Sequence, residues 1–211
     1  MAIISFTTQI LAGKTLGRYL FNKELARQVR GFTGTALDLA GNRSYLEYMP
    51  ATLTVRQTNI STELDMERVN FNEQLPFPDS SFDYIFLFNA LYIVREPERL
   101  MRDIRRLLRP NGRALVASPF LQNEMREPHD YCRLTSEGLT NLFISAGFSS
   151  QKLISYGERF SVAVNLLHSF WYFSFVRLVI YALACALDKV IPPRVKARYP
   201  APLGYFCVLQ K

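Results

Sequence analysis

The stretch Pro128-His129-Asp130-Tyr131-Cys132-Arg133-Leu134-Thr135 gathers residue types that move protons and hold anions. His129 is the natural general base, because an imidazole titrates near neutrality and can take a proton from a hydroxyl. Asp130 would orient that ring or bind the acceptor, and Tyr131 and Arg133 would hold a sugar or a phosphate. The competing reading has Asp130 and Arg133 only tying down the loop and capping the next helix. A second candidate is Asp38-Leu39-Ala40-Gly41-Asn42-Arg43-Ser44, an acid at a strand end followed by small residues, as in a turn that passes under a nucleotide. Gly13-Lys14-Thr15 echoes the end of a phosphate-binding loop, but Thr8 stands where the first glycine is required and no strand precedes it. Cys132, Cys185 and Cys207 are odd in number and widely spaced, so neither a disulfide framework nor a metal site is expected.

These residues need a scaffold, and hydropathy patterning supplies one. Residues 16–30 carry apolar side chains at helical spacing, and the apolar run 35–39 predicts a buried strand. A brief helix follows the turn at 40–44, residues 53–57 alternate as a second strand, and a third is expected near 68–71. Leu75-Pro76-Phe77-Pro78-Asp79 must be a loop, and the run 82–89 (FDYIFLFN) predicts a strand buried on both faces. Pro97 opens a helix to about Leu108, with Leu100, Ile104, Leu107 and Leu108 in one stripe and Arg99, Arg102, Arg105 and Arg106 on the remaining surface. Asn111-Gly112 is expected to end it. Strands at 113–118, 151–155 and 203–209 and a helix at 135–148 complete an alternation that specifies an α/β domain with a mostly parallel sheet. In such sheets ligands bind beyond the carboxyl ends of the strands, here the turns after Leu39, Gln57, Asn89 and Ser118.

Composition narrows the rest. With 211 residues, 49% apolar and 20% charged, the chain is long enough to bury a core and is neither disordered nor fibrous; a single domain over 1–211 is expected. The net charge of +7 favours an anionic partner, while the arginine-rich helix reads as a solvated face rather than a nucleic-acid patch. Residues 1–6 lack the pattern of a signal peptide, so a cytoplasmic location is expected, with room for a peripheral position on the inner membrane face.

One segment breaks the alternation. Residues 160–187 contain a single fixed charge, Arg177, within an apolar insertion spanning 160–191. A membrane crossing is excluded, because the strands before and after it should share one sheet. In its first half Ser161, Asn165, His168, Ser169 and Tyr172 cluster on one side of the helical wheel, with Val162, Leu166, Leu167, Phe170 and Trp171 on the others. Such a helix lies on something: a membrane surface, its own domain or a second copy of the chain. The basic tract 188–198 beside it suits acidic headgroups and suits solvent as well.

The run from Leu37 to Phe148 resembles the class I S-adenosylmethionine-dependent methyltransferases. Leu75-Pro76-Phe77-Pro78-Asp79-Ser80-Ser81-Phe82-Asp83 matches their LPFPDxSFD signature, and Leu107-Leu108-Arg109-Pro110-Asn111-Gly112-Arg113 resembles their LKPGGR turn. The stretch 128–135 is similar to the PHDYYRFT segment of a subgroup associated with surface polysaccharides. The resemblance implies a Rossmann-like, seven-stranded, mostly parallel sheet with an antiparallel last strand. It also implies a cofactor pocket lined by Asp38, Ala40, Gly41, Asn42, Asn59, Asn70, Asn89 and Leu91. The family's first turn is rich in glycine, whereas Ala40, Asn42 and Ser44 occupy those positions here. Ala40 would be tolerated if its φ stays negative, and Asn42 can adopt a left-handed conformation. Asn59 replaces the acid that accepts the ribose hydroxyls, and Asn70 the aspartate near the adenine.

Two functions follow. The first is O-methylation of a sugar or lipid-linked sugar near the membrane, with His129, Asp130, Tyr131 and Arg133 facing the acceptor. The second is a silent, methyltransferase-like subunit that binds a partner through residues 160–187. The altered turn motivates the second and the intact stretch at 128–135 the first.

Overall fold

A computed structural model describes residues 5–59, 67–126 and 129–211. Its sheet comprises β1 (Gly34–Asp38), β2 (Leu53–Asn59), β3 (Glu67–Arg68), β4 (Phe82–Phe88), β5 (Leu108–Pro119), β6 (Ser150–Tyr156) and β7 (Gly204–Gln210). The strand order is β3-β2-β1-β4-β5-β7-β6, with β7 antiparallel to both its neighbours and the other ladders parallel. The alternation predicts the mostly parallel α/β sheet, and the seven strands with an antiparallel last one are those that the resemblance implies. The helices are α1 (Phe6–Leu11), α2 (Leu16–Gln28), α3 (Pro97–Leu107), α4 (Ser136–Ser145), α5 (Arg159–Leu166), α6 (Ser174–Val190) and α7 (Pro193–Arg198).

The central strand explains the layering. Alternate side chains of β4 enter opposite cores: Ile85 and Leu87 join Leu100, Ile104 and Leu139 of α3 and α4, whereas Phe86 and Phe88 join Phe21 and Leu25 of α2. Both sides are dry, so the strand reads as a continuous apolar run. Helix α3 starts where Pro97 costs no hydrogen bond and buries Leu100, Met101, Ile104 and Leu107 completely.

Two boundaries differ from expectation. The third strand is described at 67–68; Val69 and Phe71 enter the core from beyond its end, the Val69 amide still donating to Asn59 O of β2 at 2.9 Å. Asn111-Gly112 does not end α3; the helix stops at Leu107, and Asn111 takes a left-handed φ of 63° inside an irregular start of β5.

The conspicuous run 75–83 proves to be a clamp. Arg106 of α3 donates to the carbonyls of Leu75 and Phe77, each at 3.0 Å, and reaches Asp79 at 2.6 Å. Asp83 accepts from the Thr35 amide at 2.8 Å and from Arg109 at 2.9 Å. Gly34, with φ +99°, has no room for a side chain, since a Cβ would stand 2.5 Å from Asp83 Oδ2.

Between β6 and β7 the apolar segment folds as α5, a 3-10 turn at His168–Phe170, and α6. Ser161 and Asn165, from the polar side of the sequence wheel, are buried at 1% and 5% exposure together with Val162 from the apolar side, whereas His168, Ser169 and Tyr172 are exposed. Asp188 of α6 caps the start of α5, accepting from the amides of Phe160 (2.9 Å) and Ser161 (3.1 Å) and from the Ser161 hydroxyl. Among the described residues, no helix is long and apolar enough to cross a membrane.

Candidate active site

The turn after β1 is tied to β2 and β4 by backbone and side-chain bonds. The Leu39 amide donates to Phe86 O at 3.0 Å, the Gly41 amide to Thr58 O at 2.8 Å, and Asn59 Nδ2 to Gly41 O at 2.9 Å. Asn42 stays extended at φ −128°, and its Oδ1 accepts from the Ser44 amide at 2.9 Å to start the 3-10 turn Arg43–Tyr48. Its left-handed capacity is therefore unused. Positive φ among the described non-glycine residues occurs at Ser80, Asn89 and Asn111, so Ala40 sits in the turn without that strain.

Asp38 lies beneath this turn, fully buried. Desolvation pushes its carboxyl up to about 7; opposing this are a bond from Gln57 Nε2 at 2.9 Å and the amides of Ala40 and Asn42. Its Oδ1 completes no hydrogen bond. The residue shapes the turn from below and does not line the cavity above.

That cavity has a volume of about 470 Å³ and opens at the carboxyl ends of β1, β2, β4 and β5. Ala40, Gly41, Asn42 and Asn59 form one wall, and Asn89, Ala90 and Pro119 another. Helix α2 closes it with Gly17, Arg18 and Phe21, and aromatic surface comes from Tyr45, Phe71, Phe88, Tyr92 and Tyr156. Asn89 is held at φ 51°, its amide donating to Ala117 O at 2.9 Å, an uncommon conformation at the mouth of a cleft. Arg18 is the charged side chain among the described lining residues, and its guanidinium donates to the Tyr45 hydroxyl.

The helical insertion reaches this cavity through one residue. Asn165 Oδ1 accepts from the Gly17 amide at 2.8 Å, and its Nδ2 donates to Gln122 Oε1 at 3.2 Å; Gly17 and Gln122 both line the cavity. The start of α2 is thus satisfied by a side chain nearly 150 residues away along the chain.

Ala40, Gly41, Asn42, Asn59 and Asn89 therefore come together at the cavity, whereas Asp38, Asn70 and Leu91 do not line it. Asn70 donates to Glu73 at 2.6 Å and accepts from the Asn72 amide at 3.0 Å, and Leu91 is 1% exposed in the core. Of the second group, His129 is exposed and packs its ring on Tyr131, with centroids 5.1 Å apart. Asp130 is engaged on both oxygens, by the Arg133 guanidinium and by the Met125 amide at 2.9 Å, so it does not orient His129. Arg133 lies 4.7 Å from the ring centre of Tyr92, and the Tyr131 amide donates to Tyr92 O at 2.8 Å. The loop is therefore packed behind a cavity-lining residue, and its Asp130–Arg133 pair does the tying-down that the competing reading assigned it. Pro128 lies outside the described residues. Arg18, Tyr45, Tyr92 and Gln122 were not legible as site residues, because each comes from a different element and no spacing links them.

Residues 22–116 match the family model of the methyltransferase domain. The ubiquinone/menaquinone biosynthesis C-methyltransferase UbiE of Escherichia fergusonii is 44% identical over 59 residues, 28% of this chain and 24% of that protein. The match to the same-named enzyme of Hahella chejuensis is 46% over 44 residues, 21% of this chain and 18% of that protein, so the chain spans a quarter or less of these curated relatives. Among solved structures, a SAM-dependent methyltransferase from Archaeoglobus fulgidus superposes with a TM-score of 0.63 at 16% identity, covering 96% of this chain and 97% of that one. The [4+2]-cyclase SpnF does so with a TM-score of 0.55 at 17% identity, covering 92% and 80%. The strand order and the superposition give this chain the class I methyltransferase fold, and the domain match covers residues 22–116, a little under half of the chain. The solved structures speak for the fold, which by itself hosts more than one chemistry.

Proposed function

We propose that the chain binds S-adenosylmethionine in the 470 Å³ cavity and transfers its methyl group to a hydroxyl of a sugar or lipid-linked sugar. The observation that carries this reading is the cavity itself: it stands at the switch point of a class I sheet and falls in the size range of small-molecule sites. Its residues fit the cofactor. Flat aromatic walls suit a purine, the side-chain amides of Asn42 and Asn89 suit hydroxyl and carbonyl groups, and Arg18 suits a carboxylate. Asn59 takes the place of an acid, giving the ribose an uncharged partner and a weaker bond.

When bound, the cofactor supplies a methyl group activated by its sulfonium: the acceptor oxygen forms a bond to that carbon as the carbon–sulfur bond breaks, giving S-adenosylhomocysteine. The chain has then to position the acceptor and remove its proton. His129 is the base in this reading, free of Asp130 and carried on Tyr131 at the outer side of Tyr92. Tyr131 is 43% exposed, and Arg95 donates to its hydroxyl at 2.8 Å; an aromatic face with a guanidinium beside it suits a sugar ring bearing phosphate.

One observation favours the silent-subunit reading instead: among the described lining residues none offers a carboxylate to the ribose. Calorimetric titration of the full chain with S-adenosylmethionine and S-adenosylhomocysteine decides between them. Micromolar binding supports the enzyme, and an acceptor screen of sugar nucleotides, sugar lipids and a demethylated quinol follows. In that screen His129→Ala should lower turnover by about 10²–10⁴-fold with cofactor affinity unchanged. No binding at millimolar cofactor by protein that unfolds cooperatively would leave the silent subunit.

A further inference from the structure

Helix α6 carries apolar side chains on both its faces, and Tyr181 and Ala184 pack against Ile10, Leu16 and Tyr19 of the domain. The face it turns to the domain carries Arg177, Tyr181 and Asp188, while Phe175, Val179, Leu183 and Val190 face solvent at 71, 52, 58 and 77% exposure. These four positions lie on one side of the helix, three or four residues apart or a multiple of that. Ahead of α6, Phe170, Tyr172 and Phe173 are 69, 84 and 76% exposed and extend the same apolar surface. Behind it come Lys189, Arg194, Lys196 and Arg198, with no acid anywhere in residues 189–198. Among the described residues none of these four cations pairs with an acid. Lys189 and Lys196, with Lys23, also border a cavity of about 400 Å³ whose floor includes Phe6 and Leu20.

We propose that this face seats on an anionic lipid surface, whether or not the neighbouring cavity catalyses methyl transfer. An aromatic, apolar stripe flanked by uncompensated cations complements a bilayer boundary, where acyl chains take the stripe and acidic headgroups the cations. The 17 residues of α6 extend about 26 Å, and they lie along the boundary with their polar side already engaged by the domain. A second copy would cover the stripe as well. A twofold contact, however, is self-complementary, and the basic tract carries no acid to meet its own copy.

The test is co-sedimentation of the full chain with vesicles of phosphatidylcholine alone and of phosphatidylcholine mixed with phosphatidylglycerol, alongside light scattering for mass. The expected result is binding to the anionic vesicles, release by salt, and loss of binding in Leu183→Asp. The triple variant Lys189→Gln, Arg194→Gln, Arg198→Gln should partition about a hundredfold less, at roughly 1 kcal/mol per cation. All three side chains are exposed, so this variant keeps the test intact if Leu183→Asp fails to fold. Three results would overturn the proposal: no vesicle binding, equal binding to neutral and anionic vesicles, or a dimer that Leu183→Asp dissociates without changing sedimentation.

Discussion

Replacing Asp38 by Asn should change how stability depends on pH, and the magnitude follows from its burial. The carboxyl is fully buried, and its pKa rises from 3.8 to about 7 because water is excluded from the charged form. Between those two values the folded chain holds a proton that the unfolded chain has released. Unfolding therefore becomes easier as pH rises, by about 1.4 kcal/mol per pH unit, and the loss is complete once pH passes the folded value. The whole shift corresponds to a ceiling of about 4 kcal/mol, of which about 2–3 kcal/mol falls between pH 5 and pH 8. Asn has nearly the shape of the protonated acid and never ionises, so Asp38→Asn removes this one titration. The assay is urea unfolding of both proteins at about pH 5 and about pH 8, with the stability difference compared between the two conditions. Other titrating groups contribute equally to both chains and cancel. The variant should gain about 2–3 kcal/mol on the parent over that interval, and two parallel pH profiles would refute the argument that desolvation controls this carboxyl.

Two further expectations concern positioning. Asn165→Ala leaves the buried Gly17 amide without its partner and should cost about 1–3 kcal/mol in urea unfolding, with weaker S-adenosylmethionine binding by calorimetry, because Gly17 lines the cavity. Gly34→Ala forces a Cβ to within 2.5 Å of Asp83 at a φ of +99°, and should lower stability by more than about 1 kcal/mol while a chain that still folds keeps its cofactor affinity, since neither residue lines the cavity.

The sequence speaks more clearly of the fold than of the site, and the run 75–83 shows why. Its prolines, aspartates and aromatic residues are conspicuous because they form a clamp: Arg106 holds the Leu75 and Phe77 carbonyls, and Asp83 fastens the start of β1 to Arg109. Local geometry of this kind leaves a contiguous pattern. The cavity draws Arg18 from a helix, Tyr45 and Tyr92 from two separate 3-10 turns, and Gln122 from a loop, so its members share a place in space and no spacing in the chain. The topological rule about strand ends pointed to the turns after Leu39 and Asn89, and Gly41 and Asn89 line the cavity, as does Asn59, which the resemblance had suggested. Asn70 and Leu91, which the resemblance had suggested, do not line it: one is bonded within its own loop and the other is buried in the core.

The insertion was misleading for a different reason. A helical wheel identifies two faces by their polarity but does not say which of them meets water; that assignment assumes the polar one does. Here the assumption fails for Ser161 and Asn165, and the hydrogen bonds explain how their burial is tolerated. Burying Ser161, Asn165 and Asp188 would be costly if they were unpaired. Each is paired: Asp188 with the amides that begin α5, Ser161 with Asp188, and Asn165 with Gly17 and Gln122. The Asp188 charge also stands at a helix N-terminus, where the backbone dipoles favour it. These polar side chains help anchor the insertion to the domain, and Tyr181 and Ala184 of α6 pack on Ile10, Leu16 and Tyr19, which leaves Phe175, Val179, Leu183 and Val190 on the opposite side exposed. Fully covering a side chain such as Phe175 or Leu183 is worth about 1.5–3 kcal/mol. The surface that α6 presents is therefore a store of binding free energy, and α5, packed against α6, is joined through Asn165 to the cavity-lining Gly17 and Gln122.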